Sequence, residues 1–329
     1  MDSRSEAISI TDLSKHFEVP EREAGTRAAL RSLFKRRHKV VKAVDGISAR
    51  ISEGEMVGFL GPNGAGKTTT LKMLSGLLHP TSGEASVLGY QPWSRDRDYL
   101  RQITLVMGQR NQLQWDIPAA DSYDLQRAIY RIPDGQYRQT LDEFVELLDL
   151  GPLIKKPVRN LSLGERMKVE MAGSLLHRPR VLFLDEPTIG LDVPMQRRIR
   201  TFVAEYNRRY GATVLLTSHY MADVVALCQR VIVIHHGQLL YDGDLSGLAD
   251  RFNTHKKITL RLTGDGPDLS SYGEVLSQKP GLATLRVPIP EVSRTTAGLL
   301  AETTVADLTV EDPPIEDTIV QAFSDADRS

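Results

Sequence analysis

Gly61-Pro62-Asn63-Gly64-Ala65-Gly66-Lys67-Thr68 is the stretch that constrains this chain most. It fits the pattern G-x-x-x-x-G-K-[ST], in which glycines let an anion approach the main chain and several N–H groups turn onto it. The pattern carries weight only between a strand and a helix. Met56 to Leu60 is an apolar run of strand length, and Leu71, Leu74, Leu77 and Leu78 recur at helical spacing. The spacing predicts a helix from Lys67 to Leu78, ended by His79-Pro80-Thr81-Ser82-Gly83. A helix N-terminus directly behind the loop adds a partial positive charge. The stretch therefore reads as a cradle for nucleotide phosphates. Lys67 can reach the β- and γ-phosphates, Thr68 can hold Mg²⁺, and Thr69 completes the set of nucleotide-binding residues.

Val181-Leu182-Phe183-Leu184-Asp185-Glu186 is an apolar run ending in two carboxylates. Alone it could be the acidic start of a helix. Beside a phosphate cradle it reads as a buried parallel strand whose carboxyl end faces the ligand. Asp185 can hold Mg²⁺ through water, and Glu186 can act as general base toward a water that attacks the γ-phosphate.

Around these motifs the chain is expected to alternate. Ile8 to Phe17 reads as a strand, and Ile47 to Leu60 as two strands joined by Ser52-Glu53-Gly54-Glu55. Between them, Glu18 to Lys42 is a charged, mostly basic insertion in which Arg27 to Phe34 could form a helix. Residues 116–176 read as mainly helical, broken at Pro133-Asp134-Gly135 and Gly151-Pro152. Thr213 to Thr217 is a second buried strand, and Val231 to Ile234 with Gln238 to Tyr241 form a hairpin around His235-His236-Gly237. Both histidines are expected to be solvated there. Trp93 and Trp115 are expected to pack, and Cys228 to be a small buried apolar residue. From about Phe252 the texture changes, with strands at Ile258 to Leu262 and Ala283 to Ile289 and a turn at Gly264-Asp265-Gly266-Pro267. A last amphipathic helix would place Ile315, Ile319, Val320 and Phe323 on one side. The division is then 1–250 for a nucleotide-binding domain and 251–329 for a small accessory domain.

The motifs taken together resemble the ATP-binding cassette (ABC) ATPases over about residues 8–250. Leu161-Ser162-Leu163-Gly164-Glu165 is similar to that family's Leu-Ser-Gly-Gly-Gln signature, with Leu163 and Glu165 departing from it. Gly190-Leu191-Asp192 resembles the D-loop, His219 in Thr217-Ser218-His219 the switch histidine, and Gln109 the Q-loop glutamine. Phe17 stands where the family has an aromatic that stacks on adenine. The resemblance implies an α/β P-loop NTPase cassette: a RecA-like core, an antiparallel β subdomain and an α-helical subdomain, here with a small C-terminal α+β appendage. It implies that two cassettes meet head to tail, so that Ser162 and Gly164 of one cover the nucleotide of the other, with Leu191 and Asp192 at the interface. His219 would align the attacking water with Glu186, and Gln109 would sense both metal and γ-phosphate.

No stretch approaches the roughly 18 to 20 apolar residues that a spanning helix needs. The polar start, Met1-Asp2-Ser3-Arg4-Ser5-Glu6, lacks a signal-peptide apolar region. A lone cysteine excludes an internal disulfide. A net charge of -1 gives no field to draw nucleic acid. These features lead us to expect an ATPase on the cytoplasmic face of a membrane, partnered by a separate permease and a second ATPase subunit. The short tail and the signature look most like cassettes of bacterial drug, lipid or polysaccharide exporters. An importer cassette and a non-transport ATPase of translation-factor or DNA-repair type are the alternatives.

Overall fold

The computed structural model describes residues 5–20, 38–108, 110–218, 220–263 and 267–326. Gln109, His219, the turn residues 264–266 and the helix expected at 27–34 lie outside those residues. The chain divides into two compact units, Met1–Gly243 and Asp244–Ser329. Among the described residues no helix is long and apolar enough to cross a membrane.

In the first unit, β1 (Glu6–Pro20) and β2 (His38–Ser52) pair antiparallel along their whole length. β3 (Met56–Leu60) and α1 (Lys67–Leu74) flank the phosphate loop, and β4 (Ser82–Val87) pairs with β1 from Ile8 to Ser14. Beyond Ser14 the β1–β2 ribbon continues as two strands, to Pro20 opposite His38. Both ends of the expected insertion are therefore strand. β-branched Val19, Val40 and Val41 favour extended backbone there in spite of the surrounding charge. α1 stops four residues short of the expected Leu78. Gly76 turns left-handed at φ 74°, and the N–H of Leu77 donates back to Lys72 O at 2.9 Å, which closes the helix and leaves Leu77 exposed.

After the short α2 (Arg97–Leu100), a six-stranded sheet forms from β3, β5 (Ile103–Met107), β6 (Val181–Asp185), β7 (Thr213–Thr217), β8 (Arg230–His235) and β9 (Gln238–Asp244). Its order is β5-β6-β7-β3-β8-β9, and the first five of these strands run parallel to one another. Covered on both faces, its strands bury side chains of either parity. Val181, Leu182, Phe183 and Leu184 are all fully inaccessible, which is why their run is unbroken in sequence. β3, early in the chain, sits between the late strands β7 and β8. That is a topological switch point, where loops part and a ligand can enter. His236 and Gly237, both at positive φ, make the two-residue turn between β8 and β9. His235 is buried rather than solvated: it is the last residue of β8, and its ring meets His236 at 4.1 Å between centroids.

Three longer helices form the helical part: α3 (Ala119–Tyr130), α4 (Asp134–Leu148) and α5 (Leu163–Leu175). They break near the expected places, where Arg131 and Asp149 take left-handed φ and Pro133 precedes α4. Tyr123 of α3 donates to the Val169 carbonyl of α5 at 2.8 Å. α6 (Val193–Tyr210) and α7 (Met221–Leu227) complete the unit. Cys228 is buried, Trp93 packs on the core, and Trp115 is exposed with Arg166 over its ring.

The second unit holds α8 (Leu245–Phe252), β10 (His255–Leu262), β11 (Glu274–Lys279), β12 (Leu282–Pro288), α9 (Val292–Glu302), β13 (Val305–Glu311) and α10 (Ile315–Ala326). Its antiparallel sheet runs β11-β12-β10-β13. Ile258, Leu260, Ala283, Leu285 and Val287 on the inner face meet Leu299 of α9. In α10 Ile319 is buried and Val320 exposed, so Val320 does not join the apolar side; buried Thr318 takes that place.

Candidate active site

The phosphate loop closes on itself. Lys67 is buried, and its ammonium donates to the carbonyls of Gly61 at 2.6 Å and Pro62 at 3.0 Å. Burial pushes the Lys67 pKa below its ordinary value, opposed by the Glu186 and Asp185 carboxylates nearby. Gly66 has φ 107°, and a Cβ there would lie 2.3 Å from Ala43 O, so only glycine lets β2 approach the loop. Ala43 lies two residues beyond Val41, the cross-strand partner of Phe17. Phe17 is 38% exposed, with Lys15 Nζ 5.3 Å from the centre of its ring.

Parallel register brings the second motif to the same edge. Met107, Asp185 and Thr217 are aligned across β5, β6 and β7. Thr68 Oγ1 donates to the Asp185 carboxylate, with oxygens 3.0 and 2.9 Å away. A hydroxyl and a carboxylate facing each other are few, hard oxygen donors. That set suits Mg²⁺, which keeps most of its waters and takes further ligands from phosphates. Thr68, Lys72, Met107, Gly108, Arg110, Asp185 and Glu186 line a cavity of about 220 Å³ at this point.

Glu186 follows β6 with φ 53°, a left-handed conformation that costs a residue with a side chain roughly 1–2 kcal/mol. Its N–H reaches both the carbonyl and the Oγ1 of Thr217, each at 3.1 Å. Gly108 crosses the Glu186 carbonyl so closely that a Cβ at 108 would lie 2.1 Å from the oxygen. Strain of this kind persists where surrounding structure holds it, and such places are commonly functional.

Lys67, Thr68, Asp185 and Glu186 are thus brought together. Ser162 and Gly164 belong to the start of α5. Ser162 caps that helix: its Oγ accepts the Glu165 N–H at 3.3 Å, while its own N–H donates to Glu165 Oε2 at 2.9 Å. The helix begins at Leu163. These hydrogen bonds hold the Glu165 carboxyl below its ordinary pKa. A side chain at Gly164 would meet Met195 of α6 at 3.0 Å, and one at Gly190 would meet Leu163 at 3.2 Å, so signature and D-loop pack together within the chain. Leu191 is buried, while Asp192 is exposed and caps α6 through the Met195 N–H at 2.8 Å.

Sequence reasoning missed a buried network beside the site. Asp223 of α7 is 1% exposed and accepts from Ser218 Oγ and Arg200 Nη1, each at 2.7 Å, and from Thr188 Oγ1. Thr188 follows Glu186 by two residues, and Ser218 is the first residue after β7. An aspartate four positions after a histidine was the signal available. A separate groove of about 550 Å³ lies between the core and α3. It is lined by Leu77, Ile129 and Tyr130 with Arg97, Arg101 and Arg131 around them.

Comparison with known proteins agrees with this geometry. The family described as "ABC transporter" matches residues 44–189, and "EvrA-like ABC transporter, C-terminal domain" matches 254–311. The ABC transporter ATP-binding protein NatA of Bacillus subtilis is 34% identical over 215 residues, which are 65% of this chain and 87% of NatA. The daunorubicin resistance ATP-binding protein DrrA3 of Streptomyces coeruleorubidus is 36% identical over 61% of this chain and 63% of its own length. The linearmycin resistance ATP-binding protein LnrL of Bacillus subtilis is 33% identical over 67% and 70%. In fold, a solved ATP-binding subunit of an ABC transporter superposes with a TM-score of 0.62 at 24% identity, covering 75% of this chain and 93% of that one. The chain belongs to the ABC transporter family, as an ATP-binding, ATP-hydrolysing subunit.

Proposed function

We propose that this chain drives export through a separate integral-membrane permease, working as a dimer of ATPase subunits on the cytoplasmic face of the membrane. The observation that carries the chemistry is the cavity of about 220 Å³ shared by Thr68, Asp185 and Glu186, with Lys67 buried behind it. Thr68 and Asp185 would hold Mg²⁺, an ion that neutralises charge on the phosphate oxygens. Lys67 exchanges its two carbonyl partners for β- and γ-phosphate oxygens, and the loop N–H groups orient the chain of phosphates. Glu186 takes a proton from the attacking water as its oxygen bonds to the γ-phosphorus. The bond to the bridging oxygen breaks, giving ADP and phosphate. By resemblance, His219 aligns that water and Gln109 senses the metal.

The exposed, helix-capping Ser162 supports the dimer reading. Its Oγ accepts the Glu165 N–H, and this exposed hydroxyl is the group that would donate to a partner's nucleotide. The apolar groove rimmed by Arg97, Arg101 and Arg131 supports a protein partner, and it is where a permease loop with acidic residues would fit. Export is supported by the resistance proteins DrrA3 and LnrL among the relatives. Glu186→Gln tests the chemistry. The variant should bind Mg-ATP and lose about 10²- to 10⁴-fold in hydrolysis, because an amide cannot take the proton. Turnover at the parental rate would remove Glu186 as the base.

A further inference from the structure

Thr217 lies at the meeting point of the two acidic residues, yet it belongs neither to the phosphate loop nor to the residues that line the cavity. It ends β7 and is fully buried. Its Oγ1 donates to Asp185 Oδ1 at 2.7 Å. The same oxygen accepts the Glu186 N–H at 3.1 Å, and its carbonyl accepts that N–H at the same distance. One hydroxyl therefore spends its proton on the metal-holding carboxylate and a lone pair on the main chain of the base.

We propose that Thr217 is a positioning residue for ATP hydrolysis, whose hydroxyl sets the Asp185 carboxylate and fixes the Glu186 backbone in register with it. The inference rests on the roles proposed for Asp185 and Glu186. Three features of the geometry support it. Asp185 Oδ1 has two hydroxyl donors, Thr68 from the phosphate-loop side and Thr217 from the sheet side. Thr68 is the residue that would turn toward a metal and phosphates, so Thr217 is the donor that stays when the site is loaded. Glu186 sits at φ 53°, a conformation that other contacts must impose, and Thr217 supplies two acceptors for its single N–H. Finally, β7 lies between β6 and β3, so the carboxylate, the base and the strand feeding the phosphate loop are all referred to one rigid sheet.

Valine has nearly the shape of threonine and suits a buried strand, so Thr217→Val removes the hydroxyl with little change in packing. Thr217→Ser keeps the hydroxyl and removes the methyl. Hydrogen-bonded supports of metal-holding groups typically matter about 10- to 100-fold in metal affinity or activity. The full-length protein is compared as parent, Thr217→Val and Thr217→Ser. Two readouts are used: kcat for ATP, and the ratio of ATP affinities by calorimetry with Mg²⁺ and with EDTA. We expect Thr217→Val to lose about 10- to 100-fold in kcat and most of the Mg²⁺-dependent gain in affinity, with affinity in EDTA unchanged. Thr217→Ser should stay within about threefold of the parent in both. If Thr217→Val does not fold, Thr217→Cys makes the same comparison with a weaker donor. Parental kcat and parental Mg²⁺ gain in the valine variant would overturn the proposal, as would equal losses in valine and serine variants. Glu186→Gln separates the two layers. If it abolishes hydrolysis while Thr217→Val does not, only the role of Thr217 fails. If Glu186→Gln turns over normally, the underlying reading fails first.

Discussion

Gly108 has no side chain, yet it limits where Glu186, the proposed base, can stand. A Cβ at 108 would lie 2.1 Å from the Glu186 carbonyl oxygen and 2.9 Å from Ile189 Cγ2. Neither neighbour can yield cheaply, because the first is main chain, and its N–H is already held by Thr217. Gly108→Ala should therefore move Glu186 rather than be absorbed. A displacement near 1 Å at a reacting group can cost about 10²-fold in rate, and overpacking of this kind costs about 1–3 kcal/mol in stability. Steady-state ATPase assays with thermal melts check both, and a variant with parental kcat and melting temperature would show that the contact relaxes. Residues of this kind are where reading the sequence stops. That Lys67, Thr68, Asp185 and Glu186 come together was legible because each belongs to a contiguous motif at the end of a strand. Gly108 and Thr217 act on Glu186 across strands, through a parallel register that only folding creates. His235 failed for the same reason. Its neighbours in sequence suggest a turn, but its place at the end of a fully covered strand buries it.

Among the elements, α5 is the one in which local sequence and tertiary contact agree best. Ser162 and Glu165, three residues apart, form a reciprocal cap that their spacing encodes. One turn further on, Glu170 turns inward with 4% exposure. Its Oε2 accepts the N–H groups of Gln112 at 2.8 Å and Leu113 at 3.1 Å, which ties α5 to the segment after β5. Among the described residues its Oε1 has no partner. Burial raises the Glu170 pKa, against the two N–H donors and the Arg166 charge. The sign follows from that direction. A carboxyl whose folded pKa lies above its unfolded value, near 4.5, favours folding below that value and loses the benefit as pH rises through the folded pKa. Glu170→Gln has no such titration and keeps an acceptor for both N–H groups. Its stability relative to the parent should rise as pH increases from 4.5, measured by urea unfolding over a range of pH from that value upward. A difference that stays flat across that range would show that the folded carboxyl is not raised. Elements held mainly by their neighbours were harder to read than α5. β11 and β13 are the edge strands of the second sheet, and each offers too little apolar alternation to stand out, with only Val275 of β11 and Val305 and Leu308 of β13 packing on the core.

On the scale of the whole molecule, the residues given chemical roles all lie in Met1–Gly243. Asp244–Ser329 has its own sheet and its own core around Ile258, Leu260, Leu285, Val287 and Leu299. The outer face of that sheet carries a row of charges, Glu274, Arg286, Lys257 and Glu311, each opposite the next across the four strands. Arg286 meets Glu274 at 3.2 Å and Lys257 meets Glu311 at 2.9 Å. Exposed pairs of this kind stabilise by little, so the face is built for water rather than for holding the sheet together. A unit with its own core and a polar outer face has what it needs to fold by itself. A chain ending at Asp244 should accordingly keep the phosphate loop, the acidic pair and the sheet that aligns them. We expect it to bind Mg-ATP within about threefold of the full chain and to hydrolyse it within about tenfold, each limit corresponding to no more than about 1.4 kcal/mol. Circular dichroism and a cooperative melt establish that the shortened chain is folded before the assay. A folded chain that binds ATP normally but does not hydrolyse it would place part of the hydrolytic machinery in the second unit. The two halves would then have to be read as one enzyme.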